Sequence, residues 1–160
     1  MERVNSILQH PTYIECLEKI RGYEEERIFC GHDMTHFLDV ARLAYLFSLE
    51  EGLKIEKEWI YAAGLLHDIG RHVQYRDKTP HQKASGPIAD AILADCGFEP
   101  EERRSILTAI VRHRDSTVQG EKNLAGIIYR ADKMSRSCFG CQAEAQCDWS
   151  PEKKNLILKY

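Results

Sequence analysis

The chain has 160 residues, of which 43% are hydrophobic and 29% charged, and its formal net charge is −3. The length predicts one domain of ordinary globular composition, and the negative charge argues against nucleic acid as a bulk partner. There is no apolar run of about 18 residues and no basic segment leading into an apolar one, so we expect no membrane span, no secretory signal and a cytoplasmic location.

The apolar pattern of the first half of the chain predicts helices. Residues 5–21 have weak helical character. A stronger helical pattern begins at Asp33 or Thr35, either of which is a suitable N-cap, and it ends at Gly52. Residues 56–69 are predicted to form the next helix, because apolar residues recur there at helical spacing.

Three further helices are predicted in the second half. One is opened by Thr79-Pro80 as an N-cap with proline at the first helical position, and Pro87 inside it predicts a kink or a later start. Glu99-Pro100 opens the next helix, and residues 122–136 form the last. These patterns predict an all-α fold, a compact single-domain helical bundle of six or seven helices.

Polar side chains interrupt the predicted apolar faces at six positions: His36, His67, Asp68, His81, His113 and Asp132. Any one of these histidines alone is better explained as a core or cap residue. Burying the His-Asp doublet of AGLLHDIGR among apolar residues is costly unless something compensates both groups. Imidazole and carboxylate are ligands of zinc, iron, manganese and nickel. A metal ion held among the helices would satisfy all six groups.

The order of these residues resembles the HD domain, a superfamily of helical metal-dependent phosphohydrolases. THFLDVARLAYLF surrounds His36, and AAGLLHDIGR contains His67 and Asp68. IIYRADKMSR contains Asp132, so the resemblance covers residues 30–136. An unrelated helical bundle with chance spacing is the alternative.

The resemblance implies that one metal ion is bound by four side chains: His36, His67, Asp68 and Asp132. Family members with two further histidines after the doublet hold a second metal, with the carboxylate of the doublet bridging. His81 and His113 occupy that interval, so we expect a dinuclear site with Fe, Mn, Zn, Ni or Co. Otherwise His81 is a polar residue of a first helical turn and His113 a cation at a helix C-terminus, and one divalent ion is bound. The Gly-Tyr-Pro tripeptide of the cyclic dinucleotide phosphodiesterases is absent, which argues against that branch.

The activity that the resemblance implies is hydrolysis of a phosphate ester or anhydride by a metal-activated water. Asp68, as the bridging ligand, would also orient that water. Arg71 and Lys133 are candidates for binding phosphate oxygens, although each is equally well explained as a solvated residue. His32 and Asp33 could support the metal site or supply an acid group, or simply cap a helix.

The expected partner is a small anionic phosphorylated substrate, in particular a nucleotide, and an oligomer is compatible with the sequence. Two other functions stay open. A di-iron oxygenase of the same fold would consume oxygen, and a non-catalytic nucleotide- or metal-binding regulatory module would have the ligands without activity.

Four cysteines are the second unusual feature: Cys30, Cys138, Cys141 and Cys147. If His36 and Asp132 share a metal ion, these cysteines could be neighbours and hold a structural zinc or a cluster. Free, partly buried thiols or a redox role are the alternatives. Within one domain we therefore distinguish an N-terminal helical segment (1–29), packed on the same domain, an HD-domain core (30–137) and a cysteine-containing C-terminal extension (138–160).

Overall fold

The computed structural model describes residues 1–160 and contains helices and no strands. The eight α-helices are α1 Glu2–Gln9, α2 Pro11–Glu24, α3 Met34–Glu50, α4 Lys57–Leu66, α5 Arg71–Asp77, α6 His81–Asp95, α7 Pro100–Arg112 and α8 Leu124–Met134. The all-α prediction is therefore confirmed, although the number of helices exceeds the six or seven predicted.

The additional helices arise at two places. The N-terminal region forms two helices because His10 is extended (φ −69°, ψ 127°), and its side chain caps α2 by accepting a hydrogen bond from Thr12 N. Helix α5 lies between the predicted helix 56–69 and the one opened by Thr79-Pro80, where no helix was predicted, and its seven residues are too few to produce a clear apolar period. Lys78 ends α5 in the left-handed conformation, with φ 68°.

Most predicted helix starts agree with the structure, and the differences are local. Asp33 caps α3 by accepting a hydrogen bond from His36 N, and Glu99 opens α7 with a capping box. Thr79 does not cap α6, because Pro80 occupies the N-cap position and the helix begins at His81. Pro87 lies inside that helix, so the predicted later start is wrong.

A close contact between α3 and α4 sets the geometry of the bundle. A Cβ added to Gly64 would lie 2.7 Å from the Cβ of Ala41, so only glycine allows the two backbones to approach this closely. Helix α4 ends at Leu66, three residues before the predicted end, and the following turn holds the His-Asp doublet. Ile7 and Ile20 of the N-terminal helices belong to the same buried cluster as this core.

The C-terminal residues 138–160 form short 3-10 turns and irregular backbone. The Asn155 side chain donates hydrogen bonds to the carbonyl oxygens of Lys133 and Arg136, which ties this segment to the end of α8. Tyr160 packs edge-on against Phe47 of α3. Across the whole chain, no helix combines the length and apolarity needed to cross a membrane.

Candidate metal centre

The six polar side chains singled out above lie buried together at the centre of the bundle. They come from the first turn of α3, the turn after α4, the start of α6, the end of α7 and the last part of α8: His36, His67, Asp68, His81, His113 and Asp132. They form two groups, and within each group the ligand atoms all lie within 4.8 Å of one another. The first is His36, His67, Asp68 and Asp132, the second is Asp68, His81 and His113, and Asp68 belongs to both.

Gly70 brings the doublet close to α6. Its N–H donates to Ser85 Oγ at 2.9 Å, and a Cβ at this position would lie 2.4 Å from Ser85 N and 2.8 Å from the His81 carbonyl oxygen. Only a residue without a side chain allows this approach. It places the doublet next to the start of α6, and His81 Nε2 lies 2.9 Å from Asp68 Oδ1.

The first group presents imidazole lone pairs to two carboxylates. His67 Nδ1 donates to the Gly64 carbonyl at 2.7 Å, so in the neutral ring Nε2 carries a lone pair. That Nε2 has no hydrogen-bonding partner and lies 3.5 Å from Asp68 Oδ2 and 3.8 Å from Asp132 Oδ1. His36 is oriented alike: Nδ1 lies 3.2 Å from Ser135 Oγ, and Nε2 lies 3.6 Å from Asp132 Oδ1. The distances from the two Nε2 atoms to the carboxylate oxygens are too long for direct hydrogen bonds and leave room for a cation among the acceptors.

The second group has the same arrangement. Gln74 Oε1 accepts from His81 N at 3.1 Å and from His81 Nδ1 at 2.5 Å, and the Ile110 carbonyl accepts from His113 Nδ1 at 2.6 Å. Both Nε2 atoms are therefore acceptors, 2.9 Å and 3.4 Å from Asp68 Oδ1. Metal-bound histidines typically donate their other ring N–H to an oxygen in this way. Both groups thus fit a divalent metal ion.

Burial and neighbouring charges shift the pKa values of the histidines and aspartates in the cluster. Burial lowers the pKa of His36 to about 2 and that of His81 to about 4, so both rings are neutral near pH 7. Burial acts to raise the carboxyl pKa values of Asp68 and Asp132, but His67 and other neighbours outweigh it and hold both well below the usual range. Burial acts to lower the pKa of His67, yet the two carboxylates raise it. The two buried carboxylates thus favour a positive charge next to His67 Nε2. A metal ion can supply that charge.

The sequence around this centre matches a known protein family. The family model of the HD domain matches residues 34–137, a span that contains all six clustered side chains. The chain belongs to the HD-domain family. The resemblance inferred from the sequence is confirmed.

The relatives of this HD-domain chain include two kinds of protein. An uncharacterized protein of Clostridium beijerinckii is 43% identical over 160 residues, 100% of both chains. Ribonuclease Y of Nitratidesulfovibrio vulgaris is 32% identical over 136 residues, which are 84% of this chain and 23% of that protein. Ribonuclease Y of Mycoplasma mycoides is 34% identical over 109 residues, 62% of this chain and 21% of that protein. The chain thus spans only a small part of these ribonuclease Y proteins, and no solved structure matches it.

Three cations lie beside the HD-domain centre. Lys133 Nζ pairs with Asp132 Oδ2 at 2.5 Å, and its side chain is 38% exposed. Arg71 Nε lies 3.6 Å from Asp68 Oδ2. Arg136, which is buried, donates from Nη2 to His36 Nε2 at 3.1 Å and from Nη1 to the Gly31 carbonyl at 2.9 Å. Arg136 is not among the site residues predicted above, although its position one helical turn after Asp132 is a usable signal.

A cavity of about 320 Å³ opens next to His36, between the segment before α3 and the segment after α8. It contains two carboxylates, one guanidinium group and three hydroxyls: Asp33, Asp39, Arg136, Thr35, Ser135 and Ser137. Its volume lies at the lower end of the range for small-molecule sites. The wall is polar and does not have a uniform positive charge.

The four cysteines are not brought together in this way. All six cysteines are free, and no group of three or more neighbouring ligand atoms contains a sulfur. Cys30 and Cys141 line the cavity beside His36, whereas Cys138 is buried and Cys147 follows a separate turn. The geometry therefore gives no support to the prediction of one ion shared by these cysteines, because the extension spreads them over several turns.

Proposed function

We propose that this HD-domain protein is a metal-dependent phosphohydrolase that cleaves a phosphate ester or anhydride bond of a small phosphorylated molecule, in particular a nucleotide. One observation supports the proposal above all: the two oxygens of Asp68 face different sets of imidazole lone pairs. Oδ2 faces His67 and His36, at 3.5 and 3.9 Å, and Oδ1 faces His81 and His113. Such a carboxylate suits a bridge between two cations.

The proposed ligands of the first ion are His36, His67, Asp68 and Asp132, and those of the second are Asp68, His81 and His113. When bound, a pair of Fe, Mn, Zn, Ni or Co ions would supply positive charge to the phosphoryl group and lower the pKa of a water molecule. Asp68, which belongs to both ligand groups, would also orient that water. Burial of the cluster keeps bulk water away, which strengthens every charge interaction at the reacting group.

Arg71 and Lys133 are the proposed phosphate-binding cations. The Arg71 guanidinium lies beside Asp68 with Nε buried and without a hydrogen-bonding partner, so it has an N–H group to donate to a phosphate oxygen. Lys133 pairs with Asp132 and is partly exposed, so its ammonium group can turn towards a substrate at the mouth of the site. Both cations would stabilise the negative charge that develops on the phosphate oxygens during the reaction.

The cavity beside His36 is better suited to a small substrate than to a polyanion. Asp33 and Asp39 on its wall would repel a second phosphate group, whereas the neighbouring hydroxyls can bind sugar hydroxyls or base amines. A nucleotide whose nucleoside part lay in this cavity would have its phosphate next to the metal centre. RNA is the second candidate, because the relatives named ribonuclease Y carry an RNA-cleaving name and resemble most of this chain.

The proposal is tested by measuring phosphate release from nucleotides and sugar phosphates, and cleavage of an RNA oligonucleotide, after loading with each of the five metals. We expect metal-dependent release from a small substrate. Asp68→Ala should abolish it, whereas Asp90→Ala, which changes an aspartate paired with Arg103 outside the centre, should not. Near-normal turnover in Asp68→Ala contradicts the mechanism. Cleavage of RNA alone changes the substrate class, oxygen uptake by the iron-loaded protein indicates the oxygenase, and binding without activity indicates a regulatory module.

A further inference from the structure

A row of three side chains connects α2 to the centre: Glu24, His32 and Arg71. Glu24 is the last residue of α2, His32 lies in the connection to α3, and Arg71 is the first residue of α5. Glu24 and His32 precede residue 34, where the match to the HD domain begins. They are therefore features of this chain outside the span that defines its family.

Glu24 is a buried hydrogen-bond acceptor. Its Oε2 accepts from His32 N at 2.7 Å, and its Oε1 accepts from His32 Nδ1 and from the Tyr75 hydroxyl, both at 2.5 Å. The side chain is only 9% exposed. Burial acts to raise the pKa of Glu24, but the hydrogen bonds from His32 and Tyr75 outweigh it and lower the pKa to about 2. Glu24 is thus a carboxylate, and both neighbours donate to it.

These bonds fix the hydrogen of the His32 ring. Because Nδ1 donates to Glu24, Nε2 is the acceptor of the neutral ring. Arg71 Nη2 lies 2.7 Å from that Nε2, which also lies 3.5 Å from Asp68 Oδ2. A guanidinium group has only donors, so this contact requires a lone pair on Nε2 and agrees with the orientation imposed by Glu24.

The bond to His32 holds one side of the Arg71 guanidinium and leaves another side facing the centre. Arg71 Nε lies 3.6 Å from Asp68 Oδ2 and is buried without a hydrogen-bonding partner. An unpartnered N–H group at this depth is costly unless an anion binds it. A free arginine side chain would also lose rotamer freedom on binding an anion, whereas one already held by a partner loses less.

We propose that Glu24 and His32 are positioning residues that hold the Arg71 guanidinium beside the metal centre, where it binds a phosphate oxygen. Neither residue touches the phosphate, and both act through Arg71. The inference rests on the proposed function only in that the bound group is a phosphate.

The substitution Glu24→Gln separates this role from simple packing. It keeps the shape of the side chain but replaces one acceptor oxygen by an NH₂ donor, which then faces the His32 N–H groups or the Tyr75 hydroxyl. The His32 ring can relieve this conflict by carrying its hydrogen on Nε2 instead of Nδ1. The Nε2–H group and the Arg71 N–H group would then be two donors facing each other, and the bond between His32 and Arg71 would be lost. A change two residues removed from the phosphate should therefore weaken phosphate binding.

The experiment measures binding of inorganic phosphate to the metal-loaded protein by calorimetry, with metal content and melting temperature recorded for each variant. We expect Arg71→Ala to weaken binding about tenfold or more. His32→Ala and Glu24→Gln should weaken it severalfold, and Tyr75→Phe less, because Glu24 keeps its bonds to His32. The double variant His32→Ala/Arg71→Ala should bind as Arg71→Ala alone does. His72→Ala, a buried histidine next to Arg71 whose Nδ1 bonds to the Ile69 carbonyl, should bind phosphate normally.

Several results would overturn the inference. One is normal phosphate binding by Glu24→Gln and His32→Ala while Arg71→Ala binds phosphate weakly. A second is a loss of phosphate affinity in the double variant that equals the sum of the two single losses. A third is loss of metal from the folded His32→Ala protein. Absence of phosphate binding by the unaltered holoprotein would also overturn it. If no substrate is hydrolysed, the proposed function fails separately, because the binding comparison needs no turnover. Where turnover is found, Glu24→Gln should raise KM more than it lowers kcat.

Discussion

His81 Nε2 and His113 Nε2 lie 3.1 Å apart, although in the neutral rings neither atom carries a hydrogen to donate to the other. Each ring has already donated its Nδ1 hydrogen, to Gln74 Oε1 and to the Ile110 carbonyl. Two lone pairs and the Asp68 Oδ1 carboxylate oxygen therefore converge on one buried place. Three acceptors without a donor are stable together only with a proton or a metal ion among them.

The first prediction is that the purified protein binds about two transition-metal ions per chain and that His81→Ala lowers this to about one, because the second position loses one of its ligands. Metal analysis of freshly purified protein measures both values. His72→Ala is the matched control, since His72 is buried in α5 and belongs to neither ligand group. Two ions bound by His81→Ala would show that His81 is not a ligand.

The central cluster could be predicted from sequence because its members interrupt apolar stripes in a recognisable order. His36, His67, Asp68 and Asp132 each stand in a motif, and His81 and His113 fall in the expected interval. Helix class and most helix starts could be predicted for a similar reason, since caps such as Asp33 and the capping box at Glu99 are local signals.

Contacts between distant parts of the chain could not be predicted in this way. Glu24 is one of three consecutive glutamates, and nothing local distinguishes it from a solvated residue until α2 packs beside α5. Arg136 becomes a partner of His36 only when α3 and α8 meet. The cysteine hypothesis failed to gain support for the same reason: closeness in sequence to Asp132 does not determine where the sulfur atoms of an irregular segment lie.

The second prediction concerns pH and Glu24. A carboxyl whose pKa is lowered from 4.5 to about 2 stabilises the fold above pH 4.5, and this stability is lost as the pH falls from 4.5 towards 2. Glu24→Gln should therefore reduce the free energy of unfolding by about 2–3 kcal/mol at pH 7 and by much less near pH 2.5. Urea unfolding of the metal-free proteins at both pH values measures this difference. A loss of equal size at both pH values would contradict the ionic role of Glu24.

The third prediction concerns the cysteines. Burial raises the pKa of the Cys16 thiol to about 11, so Cys16 should react slowly with an alkylating reagent at pH 7.5. Cys141 and Cys147 are half-exposed and should react quickly in the native protein, and the buried Cys138 should react later. Mass spectrometry of peptides from timed samples measures the order. Protection of Cys138, Cys141 and Cys147 together, lost after a thiol-metal chelator is added, would instead support the shared ion.

The last prediction concerns the glycine that brings the doublet to α6. A methyl group at Gly70 would lie 2.4 Å from Ser85 N and 2.7 Å from the Ala84 carbonyl carbon, and backbone atoms cannot move aside as a flexible side chain can. Gly70→Ala should therefore cost about 3 kcal/mol or more in the free energy of unfolding.

Because the same displacement would move His81 away from Asp68, Gly70→Ala should also bind less of the second metal ion than of the first. Gly22→Ala is the matched control: apart from its chain neighbours and the backbone of its own helix, no atom lies within 4 Å of its added Cβ, and alanine inside α2 should stabilise the helix by up to about 1 kcal/mol. Denaturant unfolding and metal analysis of both variants measure these effects. A Gly70→Ala protein with normal stability and two bound ions would show that the approach of α6 to the doublet tolerates a side chain, and that the position of His81 does not depend on it.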